Sequence, residues 1–139
     1  MRFVIDASVA AKWYNDEELS DKAVEVKDAF VRGDLELAAP THLIYEVGNS
    51  IWKNPQLSDK DATNAVVSIL RLGMQMLPPN TERANRAMNI ARMREVTFYD
   101  ACYIQSAEEL RSPLLTSDDC QGAAGKGIVQ VTRLREAKV

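Results

Sequence analysis

Arg2-Phe3-Val4-Ile5-Asp6 near one end of the chain, and Pro113-Leu114-Leu115-Thr116-Ser117-Asp118 near the other, decide how this sequence folds. Each is an apolar run of strand character that ends on an acid. If the two strands lie side by side and parallel, Asp6 and Asp118 emerge together at the carboxyl edge of a sheet. That edge is where ligands bind in open α/β sheets.

Between these runs, helix and strand signals alternate without repeats or linkers. Ala7 to Tyr14 reads as a short helix with the polar exit Asn15-Asp16-Glu17-Glu18. Leu19, Ala23, Val26 and Phe30 recur at helical spacing, and Gly33 is placed to stop that helix. Leu35 to Ala39 is a short strand closed by Pro40, and Thr41 is the expected N-cap of a helix through about Trp52. Ser58 and Asp61 form a capping-box variant ahead of a helix with Ala62, Ala65, Val66, Ile69 and Leu72 on one side. Met76-Leu77, stopped by Pro78-Pro79, is a weak strand. Thr81 starts a helix with the expected buried stripe Ala84, Ala87, Met88 and Ala91, and Thr97 opens another running to about Leu110. After Asp118 comes a short helix or loop loosened by Gly122, Gly125 and Gly127, then a last strand, Ile128 to Val131. Strands alternating with helices predict a three-layer α/β fold around a mostly parallel sheet.

Two further acids, Glu46 and Asp100, sit near the starts of predicted helices. Each of the four has an ordinary alternative. Asp6 suits an N-cap, Glu46 a solvated helix side, Asp100 a capping box with Thr97, and Asp118, with Asp119, a turn. Gathered at one edge, the four would repel by roughly 4 kcal/mol per close pair at an effective dielectric near 20. Against a total stability of about 5–15 kcal/mol, a divalent cation is the natural remedy. Hard oxygen ligands of this kind suit Mg²⁺ or Mn²⁺.

Other chemistries find no support. There is no phosphate-binding glycine loop. His42 is the only histidine, so it has no imidazole partner for a zinc site, and Ser8 has no evident base for a triad. On this reading no histidine joins the acids, and the cation carries the activation of water. Cys102 and Cys120 have no metal-ligand spacing and read as buried or incidental thiols. The 139 residues suit one domain, 1–139, and 46% hydrophobic with 27% charged residues is an ordinary soluble composition. No apolar run approaches the roughly 20 residues of a membrane span, and no secretory pattern precedes the first strand, so a cytoplasmic protein is expected. A net charge of −3 excludes a blanket of phosphate-binding charge but not a local basic edge. Arg83, Arg86 and Arg94 share one flank of their helix, with Arg92 opposite; they are either solvated charges or an RNA guide.

The motifs resemble those of PIN-domain ribonucleases of the VapC toxin type. Val4-Ile5-Asp6-Ala7-Ser8-Val9-Ala10-Ala11-Lys12-Trp13 with Glu17-Glu18 is similar to their opening. Pro40 to Asn49 resembles their second motif, a helical Glu46 followed three residues later by Asn49, here with Gly48 inside the helix. Thr97-Phe98-Tyr99-Asp100-Ala101-Cys102-Tyr103 resembles the third, and Leu114 to Asp118 the fourth, Thr-x-Asp, with Asp119 as an extra acid. The resemblance implies a parallel five-stranded sheet between helices and a pocket for one or two Mg²⁺ or Mn²⁺ ions. It implies hydrolysis of RNA phosphodiesters, with Asp6, Asp100 and Asp118 as metal ligands directly or through water. Glu46 would ligate or position the water nucleophile, and Ser8 and Thr116 would orient the carboxylates, with Asn49 and Asp119 supporting. It further implies a homodimer blocked by a cognate antitoxin, whose helix would lie in a groove; the helices at 19–32 and 58–73 are candidate walls or ordinary core. Two other functions stay open: a housekeeping RNA-processing endoribonuclease without antitoxin, and a non-catalytic RNA- or protein-binding domain.

Overall fold

In the computed structural model, which describes residues 1–139, five strands form one sheet. They are β1 (Arg2–Ile5), β2 (Glu36–Pro40), β3 (Gln75–Leu77), β4 (Leu114–Thr116) and β5 (Val131–Arg133). Their order is β3-β2-β1-β4-β5 and every pairing is parallel. The sheet expected to be mostly parallel is wholly so. Residues of β1, β2 and β4 are buried almost without interruption, as strands covered on both faces must be.

Seven α-helices fill the connections: α1 (Ala7–Ala10), α2 (Ser20–Arg32), α3 (Leu43–Trp52), α4 (Asp59–Arg71), α5 (Thr81–Arg94), α6 (Phe98–Leu110) and α7 (Asp119–Gly125). Short 3₁₀ turns follow α1 at Ala11–Trp13 and β5 at Leu134–Glu136. The chain builds outward from β1 to β3, then returns across the sheet to β4 and β5. Right-handed crossovers therefore put α1–α4 on one face and α5–α7 on the other. The packing agrees: α3 meets α1 and α4, whereas α6 meets α5 and lies across β1, β2 and β4. Between β1 and β4 the direction of winding reverses. Val4 pairs with Leu114 and Ile5 with Leu115, so the two strands end level. Asp6 and Ser117-Asp118 leave the sheet side by side at that switch point.

Several local expectations shift. The last strand is Val131–Arg133 rather than Ile128–Val131, because a turn at Gly127 (φ +87°) uses Ile128 and Val129. Gly122 and Gly125 do not loosen a loop; they lie inside α7 and permit close approach. A Cβ on Gly125 would come within 3.2 Å of Val131 Cγ2, and one on Gly122 within 2.4 Å of the Arg133 guanidinium carbon. Thr41 does not cap α3; its amide bonds Leu77 O at 3.1 Å, extending the β2–β3 pairing, and the helix starts at Leu43 without a side-chain cap. Leu19 stands just outside α2 at φ +67°, while Gly33 at φ +83° ends that helix as expected. Thr81 does start α5, capped by Asn80, but the buried stripe of that helix is Ala87, Ile90 and Ala91, with Met88 exposed.

Candidate active site

The carboxyl edge between β1 and β4 is built around Asp6. It caps α1 through Ser8 N (3.1 Å), so the capping role and a place at the edge coexist. Its Oδ1 also accepts from Ser8 Oγ at 2.5 Å, and its Oδ2 accepts from Thr116 Oγ1. Each hydroxyl is in turn fixed by the backbone that leaves β4: Ser117 N donates to Ser8 Oγ (2.9 Å) and Asp118 N to Thr116 Oγ1 (3.0 Å). Asp6 is thus held in one orientation by residues from both strand ends. It is only 4% exposed. Burial pushes its pKa from 3.8 up to about 6; the bonds from Ser8 and Thr116 pull it down, and the Asp118 charge adds to the rise.

Glu46 and Asp100 come from α3 and α6, on opposite faces of the sheet. Burial raises the pKa of Asp100, and the Glu46 and Asp118 charges raise it further. The four acids therefore form a connected set, Asp6 with Asp118, Asp118 with Asp100, and Asp100 with Glu46, each pair close enough to repel. Burial also pushes Glu46 upward, but contacts from His42 and Tyr103 outweigh it and hold that carboxyl below its usual range. Tyr103 OH donates to Glu46 Oε1 at 2.8 Å, and His42 Nε2 lies 3.0 Å from the same oxygen. The expectation that no histidine joins the acids is corrected by this contact. His42 stands one helical turn before Glu46 on the same side of the chain, a spacing legible in the sequence. Tyr103, three residues after Asp100, shares that helix face, but nothing in the sequence marks its contact with Glu46.

Asp118 is exposed and caps α7 by accepting from Gln121 N at 2.9 Å. Gln121, buried, ties α7 to the site by donating to Asp100 O at 3.0 Å. Asp119 turns away from the four: it pairs with Arg133 (2.8 Å) and Arg135 (3.6 Å). Asn49 is exposed beside Glu46 and lines a shallow concavity with His42, Tyr45 and Tyr99.

No three of the acidic, histidine or cysteine side chains are gathered into a ready-made metal-ligand group. The donors nevertheless fit a hard divalent cation. All four are carboxylate oxygens, they repel one another, and the most buried of them is held charged only at a cost. A cation that keeps much of its water and takes one or two protein carboxylates, as Mg²⁺ does, needs no closed cage.

A family model of the PIN domain matches residues 3–126. The chain belongs to the PIN-domain family. Ribonuclease VapC3 of Pyrobaculum aerophilum is 33% identical over 123 residues, spanning 85% of this chain and 90% of that protein. Exonuclease VapC9 of the same organism is 29% identical over 107 residues, 77% of this chain and 80% of that one. Among solved structures, Mycobacterium tuberculosis VapC20, a sarcin-ricin loop cleaving toxin, superposes with a TM-score of 0.69 at 18% identity, over 93% of this chain and 98% of that one. That likeness shows a shared PIN fold.

Around this PIN site the basic residues are largely engaged. Arg83 makes paired bonds to Glu109 (both 2.9 Å) and Arg86 to Glu108 (2.7 and 2.8 Å). Arg94 donates to Lys126 O, and Lys12 pairs with Glu17 at 3.3 Å. The flank of α5 is therefore largely neutralised. An apolar cavity of about 270 Å³ lies at the start of α3, between α5 and α6, lined by Tyr45, Pro78, Phe98, Tyr99 and Cys102 among others. No helix is long and apolar enough to cross a membrane.

Proposed function

We propose that this PIN-domain protein is a Mg²⁺- or Mn²⁺-dependent endoribonuclease and the toxin of a toxin–antitoxin pair. The observation that carries the reading is Asp6: a buried carboxylate with both oxygens oriented by Ser8 and Thr116, at the switch point of the sheet beside Asp118, which links it to Asp100 and Glu46. The names of the relatives, a ribonuclease and a toxin among them, support RNA as substrate and toxicity as role.

In this reading Asp6, Asp100 and Asp118 hold the cation directly or through water, and Glu46 ligates it or positions the attacking water. When bound, the cation lowers the pKa of a water molecule and offsets the charge of the scissile phosphate. Ser8 and Thr116 keep the Asp6 oxygens aimed, so that carboxylate need not reorganise when substrate arrives. A cognate antitoxin is the expected partner, and a homodimer the expected assembly.

The test is cleavage of a linear and a circularised RNA by purified wild type and Asp6→Asn under Mn²⁺ titration. Cutting of the circle, dependent on Mn²⁺ and lost in Asp6→Asn, supports the endonuclease. Cutting of the linear RNA only, from an end, makes it an exonuclease. Cleavage that persists in EDTA rejects the mechanism. Growth arrest on expression, relieved by a small neighbouring gene, separates a toxin from a housekeeping enzyme.

A further inference from the structure

His42 and Tyr103 converge on a single atom, Glu46 Oε1, from different elements. Tyr103 comes from the middle of α6, 1% exposed, and its hydroxyl donates at 2.8 Å. Burial and the neighbouring Glu46 charge push its pKa upward, so the phenol stays a donor. His42 stands just ahead of α3, with Nε2 at 3.0 Å from the same oxygen. Nε2 is shielded from solvent and has no other polar partner, and the contact is off the line of a regular hydrogen bond. The imidazole is fixed between aromatic rings, with centroids 4.6 Å from Tyr103 and 5.6 Å from Tyr99. Glu46 Oε2 has no protein partner.

Glu46 needs such restraint. Its side chain is 37% exposed, and the Asp100 charge lies near enough to repel it. A glutamate with free rotamers would lower that repulsion by swinging into water. We propose that His42 and Tyr103 are positioning residues, a clamp of one hydroxyl donor and one close imidazole contact that holds Glu46 beside Asp100 and leaves Oε2 free for the cation or the attacking water. The clamp also joins α3 to α6, so acids contributed from opposite faces of the sheet keep a fixed separation. The proposal rests on the metalloribonuclease reading above, and it assigns no proton transfer to either residue.

The experiment is direct Mn²⁺ binding to the full chain without RNA, read from the electron paramagnetic resonance signal of free Mn²⁺. Thermal unfolding in EDTA accompanies it. Outer partners of metal ligands are generally worth about 10–100-fold in affinity. His42→Leu and Tyr103→Phe are each expected to weaken Mn²⁺ binding by at least about 10-fold while unfolding cooperatively in EDTA. His42→Gln, which restores a polar N–H group beside Glu46, is expected to recover most of the affinity. In a Glu46→Gln background, His42→Leu should have no further effect, because it acts through Glu46. Wild-type affinity in both His42→Leu and Tyr103→Phe overturns the clamp, as does an undiminished His42→Leu effect in Glu46→Gln. Loss of cooperative unfolding in both single variants overturns it too, by making the pair core packing. Wild type that binds no Mn²⁺ overturns the function reading itself. That outcome is distinct from wild type binding, Asp6→Asn failing and the clamp variants binding normally.

Discussion

Asp6→Asn is the substitution whose effect on stability follows most directly from the site. In the metal-free protein, burial raises the Asp6 pKa from 3.8 to about 6. A raised carboxyl pKa means that the folded state binds a proton more tightly than the unfolded chain. The associated stabilisation is fully present below pH 3.8 and is lost as pH rises through about 6. At neutral pH the ionised Asp6 therefore costs the fold about 3 kcal/mol, at roughly 1.4 kcal/mol per pH unit. Asparagine removes that cost. It replaces one acceptor with an amide, however, and disturbs one of the bonds from Ser8 or Thr116, a loss of about 1 kcal/mol. The net expectation in EDTA at pH 7.5 is a variant more stable by about 2 kcal/mol, or roughly 5–8 °C in Tm for a chain of this size. The gain should shrink below pH 6 and reverse near pH 4, where wild type has taken up its proton. Differential scanning calorimetry of both proteins in EDTA at pH 4 and 7.5 measures it. A variant less stable than wild type at pH 7.5, or a difference independent of pH, refutes the reasoning. A stabilising mutation that abolishes activity marks a site whose charge is kept for function.

The other expectations are more local. Thr116→Val removes the donor to Asp6 Oδ2 and the acceptor of Asp118 N, so a loss of about 1–3 kcal/mol is expected in urea unfolding at neutral pH. The same change should move the Asp6 pKa further upward in a carboxyl NMR titration, because one bond favouring the charged form is gone. Replacing Arg83 and Arg86 together with alanine should leave the salt dependence of RNA binding unchanged, since both already serve Glu109 and Glu108. A slope reduced by about one to two would instead show that they reach phosphates. Gly122→Ala should fold but displace the Arg133 guanidinium from Asp118 O and Asp119 (3.1 and 2.8 Å), costing about 1 kcal/mol in thermal unfolding; a wild-type Tm counts against it.

How far the sequence alone carries the fold depends on the signal involved. The two strands ending in Asp6 and Asp118 and the alternation between them are legible, because buried parallel strands read as short apolar runs. The end of the chain is not. Ile128 to Val131 has strand composition, but the pairing register with β4 starts at Val131. Tertiary pairing overrides local preference there. The glycines of α7 mislead for a related reason: their use is the close approach of Val131 and Arg133, and no local pattern encodes a distant neighbour. The sequence does not show what His42 and Tyr103 do, because they lie far apart in the chain. Their shared contact with Glu46 appears only when α3 and α6 are brought together.

For the acids at strand ends and helix starts, a local structural role and a place in the site are compatible. Asp6 caps α1 and Asp118 caps α7, while Asp100 stands in the first turn of α6, capped by Thr97. Helix N-termini carry unpaired N–H groups and a partial positive charge, and they favour anions by roughly 0.3–1 kcal/mol each at exposed sites. A parallel sheet delivers the C-terminal ends of its strands and the starts of the following helices to the same edge. Capping therefore offsets part of the repulsion that assembling the carboxylates incurs. Glu46 is the exception: it gets its support from the side, from His42 and Tyr103, and not from a cap. Asp6 combines both supports, its cap of α1 and the bond from Thr116 across the sheet, whereas Glu46 depends on the lateral contacts alone.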